Sequence, residues 1–344
     1  MDFTTRRDQY DPSSLPDLTG KIALVTGSNS PLGIGWNIAN QLALKGAKVY
    51  VHARTLDKAQ AGITAILTNY QADQYLNSSS TGRVSAKQLE PFVVELGDLK
   101  AVRDAAAAFA KKESRLDILV HNAAVLAYGL EFNDYGISTS MTINHIAPFL
   151  LTLELLPLIK KTAQINPGVR IVTLSSIAHV LVSPDVKFDS LKSFNNDFGE
   201  RDGVEANLKR YAYSKLANIL FAKELQHKLD HAGIQVISVA VHPGGVKTDG
   251  SINYMGPDNL SKLDDAQTPL QGALAPLSAA ASTEVWAEKD DKGKRKWAGA
   301  YVMPYGIPSP ADESEAAKNP KLPKELWEAT ERILAENVGI SVSF

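Results

Sequence analysis

Thr26-Gly27-Ser28-Asn29-Ser30-Pro31-Leu32-Gly33-Ile34-Gly35 lies between a short apolar run, Lys21 to Thr26, and the helically spaced Ile34, Ile38 and Leu42, which end near Gly46. The run reads as a buried parallel strand and the spacing as a helix. Glycine lets backbone amides approach a phosphate closely, and a helix N-terminus offers unpaired N–H groups and a favourable dipole. In that order the three parts form a dinucleotide site, with Gly27, Ser28, Asn29, Gly33, Ile34 and Gly35 as candidate contacts. A plain strand-to-helix turn would use the same glycines, so the rest of the chain has to decide.

Outward from this segment the pattern repeats. Val49 to Ala53 reads as a second strand and Thr55 to Asn69 as a helix, and further strands are expected at Phe92 to Leu96, Leu116 to His121, Val169 to Leu174, Ile234 to Val241 and Ala298 to Met303, with helices between. This alternation predicts an α/β fold: a Rossmann-type doubly wound, mostly parallel sheet of about seven strands with helices on both faces. Residues 71–88, rich in Asn, Ser and Gly, read as a flexible insertion. At 344 residues the chain is long enough for two domains, yet no linker or repeat divides it. We expect a polar arm over 1–17 and a single domain over 18–344, with substrate-covering loops around 180–210 and 250–297. Phe188, Phe194 and Phe198 in the first loop, and Tyr254, Met255 and Trp286 in the second, either line an apolar pocket or pin the loops to the body.

Composition removes whole classes. The net charge is −2 with no basic block, so neither nucleic acid nor an anionic membrane is an expected partner. No uncharged run reaches membrane-spanning length, and the N-terminus lacks the apolar core of a signal peptide. The absence of cysteine excludes disulfides and thiolate zinc sites and fits a cytoplasmic setting. His121, His145, His179 and His242 lack metal-ligand spacing, so no metal is expected. His179, three residues after Ser176, is a candidate for the substrate pocket.

Tyr211 and Lys215 are four residues apart and share a face if their segment is helical. A nearby ammonium favours the phenolate and brings a tyrosine towards working pH as an acid or base. Tyr213, two residues before Lys215, would not face it. Strand two ends in Arg54, with no carboxylate there to hold a ribose 2′-hydroxyl; an arginine at that place suits a 2′-phosphate and favours NADP(H).

The glycine segment, the Ser175-Ser176 pair and Tyr211-x-x-x-Lys215, in this order, resemble the short-chain dehydrogenase/reductase family from about residue 18 to 250. Asn144-His145-Ile146-Ala147-Pro148-Phe149 and Ser214-Lys215-Leu216-Ala217-Asn218 resemble its retinol dehydrogenase-like members and fungal-type carbonyl reductases. The resemblance implies that Asn144 holds a proton-relay water by bending its helix, that Ser176 polarises a substrate carbonyl, and that Tyr211 is the general acid in reduction. Lys215 would bind nicotinamide ribose and lower the tyrosine's pKa. Val241-His242-Pro243-Gly244-Gly245-Val246-Lys247-Thr248 resembles the segment that holds the carboxamide end, with Pro243, Gly244, Val246 and Thr248 as contacts. Glu95 and Leu96 would meet the adenine, with Asp98 as the alternative, and Asn122 and Ala123 would lie along the cofactor.

Three departures stand out. Five residues rather than three separate Gly27 from Gly33, so Pro31-Leu32 reads as an insertion. Glu95 replaces the usual aspartate, and Ala124 stands where glycine is usual. The implied activity is NADP(H)-dependent carbonyl reduction, or the reverse alcohol oxidation, on an apolar small molecule. Enoyl-type C=C reduction and a non-redox nucleotide-binding regulator, cyclase or isomerase are the competing readings. A homodimer or homotetramer is compatible with the family.

Overall fold

The computed structural model describes residues 11–68, 84–304 and 306–344. The expected insertion at 71–88 falls largely outside them; its described end, Ala86–Gln88, is one 3-10 turn capped by Ser85. Seven strands, β1 (Ile22–Val25), β2 (Lys48–Ala53), β3 (Leu89–Val93), β4 (Ile118–His121), β5 (Val169–Leu174), β6 (Val236–Val241) and β7 (Tyr301–Val302), form one sheet in the order β3-β2-β1-β4-β5-β6-β7. Every pairing is parallel. The central strands are buried along their whole length, which is why their sequences are continuously apolar rather than alternating.

In chain order the helices are α1 (Ile34–Leu44), α2 (Leu56–Thr68), α3 (Leu99–Lys112), α4 (Thr139–Met141), α5 (Ala147–Ile165), α6 (Leu191–Phe194), α7 (Val204–His231), α8 (Asp249–Met255), α9 (Pro269–Ala281), α10 (Thr283–Ala287), α11 (Glu315–Lys318) and α12 (Leu322–Ile333). One apolar cluster joins a sheet face to α3, α5, α7 and α12, and a second joins the other face to α1 and α9. Thr139–Ile165 is long and apolar enough to cross a membrane, but it is mostly buried inside the first cluster, as a core helix is.

Some boundaries differ from the sequence reading for physical reasons. β3 starts three residues early and includes Pro91, which an edge strand tolerates because one side of its ladder needs no donor. β6 starts at Val236 because Gly233, with φ of 66°, still turns the chain. β7 has only two residues, since Gly299, with φ of 72°, bends the segment before it.

The described part of the N-terminal arm is anchored, with Leu15, like Leu18 just beyond it, buried in the second cluster. The stretch 250–297 also needs correction as a substrate cover. It contributes Gly250, Ser251 and Asn253 to the cleft, but α9 packs on the sheet as core and Trp286 sits at the other end.

Candidate active site

The sheet changes winding direction between β1 and β4, and an open cleft runs along the C-terminal ends of the strands there, where α/β folds bind ligands. Its volume is about 520 Å³. Gly27, Asn29, Gly33, Ile34, Arg54, Glu95, Leu96, Asn122, Ala123, Tyr211, Lys215, Pro243 and Thr248 all line it.

Gly27 has φ of +63°, and a Cβ there would come 2.9 Å from the Cα of Ala123. At Gly35 a Cβ would lie 2.3 Å from Asn122 Nδ2, so these glycines are required by close packing of the loop on β4. Asn122 Nδ2 donates to the carbonyls of Thr26 and Gly27 at 2.9 and 3.0 Å, locking the two segments together. The extra Pro31-Leu32 is absorbed by a turn in which Gly33 N–H donates to Ser30 O at 2.8 Å, and Asn37 Nδ2 donates to Pro31 O. No side chain caps the N-terminus of α1, and no acidic residue lies in its first turn, so its free N–H groups face the cleft as an anion site. This fits the phosphates of a dinucleotide.

Four expected contacts lie elsewhere. Ser28 is fully buried; its hydroxyl donates to Val25 O and accepts from His52 N–H, so it braces the loop from behind. Gly35 acts through packing, as above. Gly244 faces Gln267, and the Val246 side chain packs on Gly272 of α9. Neither lines the cleft. Of the two carboxylates considered for the adenine end, Asp98 is engaged elsewhere, since its carboxylate caps α3 and accepts from Tyr135 Oη at 3.0 Å. Glu95 lines the cleft, folded back so that Oε1 accepts from Gly97 N–H at 3.1 Å.

Tyr211 and Lys215 share one face of α7, with the ammonium 5.5 Å from the phenol ring centre. Lys215 Nζ donates to Leu174 O at 2.9 Å. Burial is the dominant influence on both groups. Burial raises the Tyr211 phenol to about 12, against a smaller downward pull from a hydrogen bond with Ser176, while burial lowers Lys215 to about 7. Desolvation disfavours both charged forms more than their proximity helps them.

Asn144 sits in a π-helical turn, Thr142–Ile146, so the helix is distorted where the resemblance implied. Its amide clamps Val125, accepting from the N–H at 2.8 Å and donating to the carbonyl at 3.0 Å, and also donates to Ser214 Oγ. Ser214 in turn donates to Tyr211 O, linking Asn144 to the tyrosine's own turn. Ser176 caps the turn Ile177–Leu181, whereas the neighbouring Ser175 is buried and donates to Lys215 O at 2.7 Å. Tyr213 points away, donating to Lys187 O and stacking on Phe188. Phe188 and Phe194 are buried; they pin the 180–210 loop rather than line the cleft.

His179 is also not a pocket residue. It is buried, donating through Nδ1 to Ser176 O at 2.8 Å and accepting at Nε2 from Ser314 N–H. Sequence reasoning missed His52, whose Nδ1 accepts from Gly27 N–H at 2.8 Å while Nε2 donates to Val94 O at 3.0 Å; burial lowers its pKa to about 4 and keeps it neutral. Its place at the end of β2, opposite the glycine turn, was the available signal. Lys58 in the cleft wall and the Ser30–Asp249 hydrogen bond across it had no sequence signal. Among the described residues no cluster of metal-ligating side chains occurs.

Residues 21–186 match the short chain dehydrogenase family pattern. A short-chain dehydrogenase/reductase of Armillaria gallica is 38% identical over 95% of this chain and 96% of its own. Retinol dehydrogenase 12 of Mus musculus is 30% identical over 92% of this chain and 87% of its own. Among solved structures, an uncharacterized protein from Mycobacterium paratuberculosis superposes with a TM-score of 0.67 at 25% identity, covering 98% of this chain and all of that one. With near full-length identity of this order joined to the same parallel sheet, the chain belongs to the short-chain dehydrogenase/reductase family of oxidoreductases.

Proposed function

We propose that the chain is an NADP(H)-dependent oxidoreductase that interconverts a ketone or aldehyde and its alcohol on an apolar small molecule. The observation that carries this is the union in one cleft of an uncapped helix N-terminus, the cations Arg54 and Lys58, and the Tyr211–Lys215 face of α7. A nicotinamide dinucleotide bound there supplies or accepts the hydride.

The chain's own residues do the rest. With its pKa raised, Tyr211 is protonated at neutral pH, the form needed to give a proton to the developing alkoxide oxygen. Ser176, hydrogen-bonded to the same phenol, orients the carbonyl. Lys215 holds ribose hydroxyls and provides positive charge when the tyrosine must act as base. Arg54 and Lys58 favour a 2′-phosphate at the far end. Val125, Leu126 and Ile143 give an apolar wall beside the tyrosine, in keeping with a relative named for retinol.

The test is the loss of NADPH absorbance when purified protein meets a panel of lipophilic ketones and aldehydes, with NADH and the Tyr211→Phe variant run alongside. Turnover with NADPH that Tyr211→Phe abolishes is expected. No consumption with any carbonyl, or undiminished turnover in the variant, overturns the proposal.

A further inference from the structure

At the end of the sheet opposite the cleft, β5 opens with Val169-Arg170-Ile171. Across the ladder Arg170 is flanked by Ile118 of β4 and Ile237 of β6, so a guanidinium enters an apolar row, and only 3% of the residue is exposed. Its hydrogen bond is a long one, Nη1 donating to Val169 O at 3.3 Å, and its Nε has no acceptor. Among the described residues no carboxylate pairs with it, and the neighbouring charge that acts on it is another cation, Arg295. Burial lowers its pKa to about 10, which leaves it charged at neutral pH. A buried cation without a counter-ion is costly to keep.

This guanidinium lines a cavity of about 330 Å³ whose other walls include Leu18, Ala281 and Trp286 and, among charged side chains, Asp17, Lys21 and Asp117. That volume falls at the small end of the range for ligand pockets. The Trp286 ring is held by two cations, with its centre 5.2 Å from Arg170 and 3.5 Å from Arg295. The two carboxylates in these walls are already engaged, and Lys21 Nζ lies 3.9 Å from Asp117 Oδ1. Asp117 accepts two hydrogen bonds from Arg115 at 2.8 and 2.6 Å and one from Ile22 N–H, and Asp17 accepts from Thr19.

We propose that this cavity is a second binding site, separate from the cofactor cleft, for a small organic carboxylate whose anionic end pairs with Arg170 and whose flat apolar body lies against Trp286 and Ala281. The buried unpaired charge selects an anion, and the apolar part of the walls, Leu18, Ala281 and Trp286, selects what carries it.

Isothermal titration of the full chain with 2-naphthoate, its neutral amide 2-naphthamide, and inorganic phosphate tests this. Naphthoate is expected to saturate a single site, with naphthamide and phosphate at least about 10-fold weaker, since a charge-assisted contact corresponds to roughly 10- to 150-fold in affinity. Arg170→Met should weaken naphthoate by that factor. Ala281→Phe, which keeps the arginine and fills the cavity, should abolish binding and covers the case in which Arg170→Met fails to fold. Arg54→Gln in the cofactor cleft should leave the titration unchanged. No saturable binding of naphthoate, equal binding of amide or phosphate, or binding that survives Ala281→Phe would overturn the proposal.

Discussion

Replacing Arg54 by Gln asks how much of the cofactor preference rests on one side chain. A charge-assisted hydrogen bond to a 2′-phosphate contributes about 1.5–3 kcal/mol. The Arg54 side chain is 67% exposed and its nearest acidic partner, Glu95, lies 3.9 Å from Nε, so solvent screening puts the contact at the lower end, about 1.5 kcal/mol or roughly 12-fold. Losing the Arg54–Glu95 pair adds little, because exposed pairs contribute about 0–1 kcal/mol. Lys58, in the first turn of α2 and also in the cleft wall, retains part of the preference in the single variant. We therefore expect Arg54→Gln to weaken NADPH roughly 12-fold while leaving NADH nearly unchanged, and Arg54→Gln/Lys58→Gln to remove the preference. Fluorescence titration of both cofactors at low and high salt is the assay; the Arg54-dependent part should shrink with salt, as an exposed interaction must. Equal affinity of the unmodified protein for NADPH and NADH, or a preference that survives in the double variant, would refute the reasoning.

Tyr211→Phe should fold and bind NADPH yet lose roughly 10²- to 10⁴-fold in carbonyl reduction, and Ser176→Ala roughly 10²- to 10³-fold, measured by steady-state turnover. Burial lowers Lys215 to about 7, so the ammonium proposed to hold the ribose is lost as pH rises through that value; NADPH affinity should fall by up to about 10-fold per pH unit above it, and Lys215→Met should erase this step from the binding profile. His52→Leu keeps bulk but orphans Gly27 N–H and Val94 O, which should cost about 2–4 kcal/mol in denaturant unfolding and weaken NADPH at the loop it tethers. Four buried histidines are held neutral, His52 with a pKa lowered to about 4 and His121, His145 and His242 to about 3. The unfolded chain binds these protons first, so stability is present above about pH 6.5 and falls as pH drops towards 4, by up to about 1.4 kcal/mol per pH unit for each group; a flat acid limb in urea melts would contradict this.

The sheet was legible because burial on both faces leaves continuous apolar runs such as Ala23-Leu24-Val25 and Val236 to Val241, which little besides a central parallel strand requires. What escaped was set by edges and turns: Pro91 hid the start of β3, and Gly299 shortened β7. In the site, residues whose chemistry is declared by type and spacing, Tyr211, Lys215, Arg54 and the glycines, came together. Those whose role depends on tertiary partners did not. Ser28 and His52 look unremarkable in sequence and become a paired brace behind the loop only because β2 runs beside β1. His179 looked like a pocket residue through its nearness to Ser176, yet its two ring nitrogens are used by Ser176 O and by Ser314, 135 residues away in the chain.

The Tyr211–Lys215 pair carries this point into the chemistry. Spacing four residues apart establishes that the groups share a face, and from that alone the ammonium should favour the phenolate. Burial acts on each group before either acts on the other, and it opposes charge on both. The phenol is raised to about 12 while the ammonium is lowered to about 7, so near neutral pH a proton stays on the tyrosine whether or not the lysine carries its own. That state is the donor form, ready to protonate an alkoxide. The reverse reaction must first remove the tyrosine proton, which demands a charged Lys215 in a place that resists charge. Reduction should therefore hold its rate to lower pH than alcohol oxidation, and the separation between the two pH profiles should follow Lys215: in Lys215→Arg, whose cation is not lost near neutrality, oxidation measured in the retained activity should shift towards lower pH while reduction shifts less. Profiles for the two directions that coincide in the unmodified enzyme would show that burial does not set the proton balance of the pair.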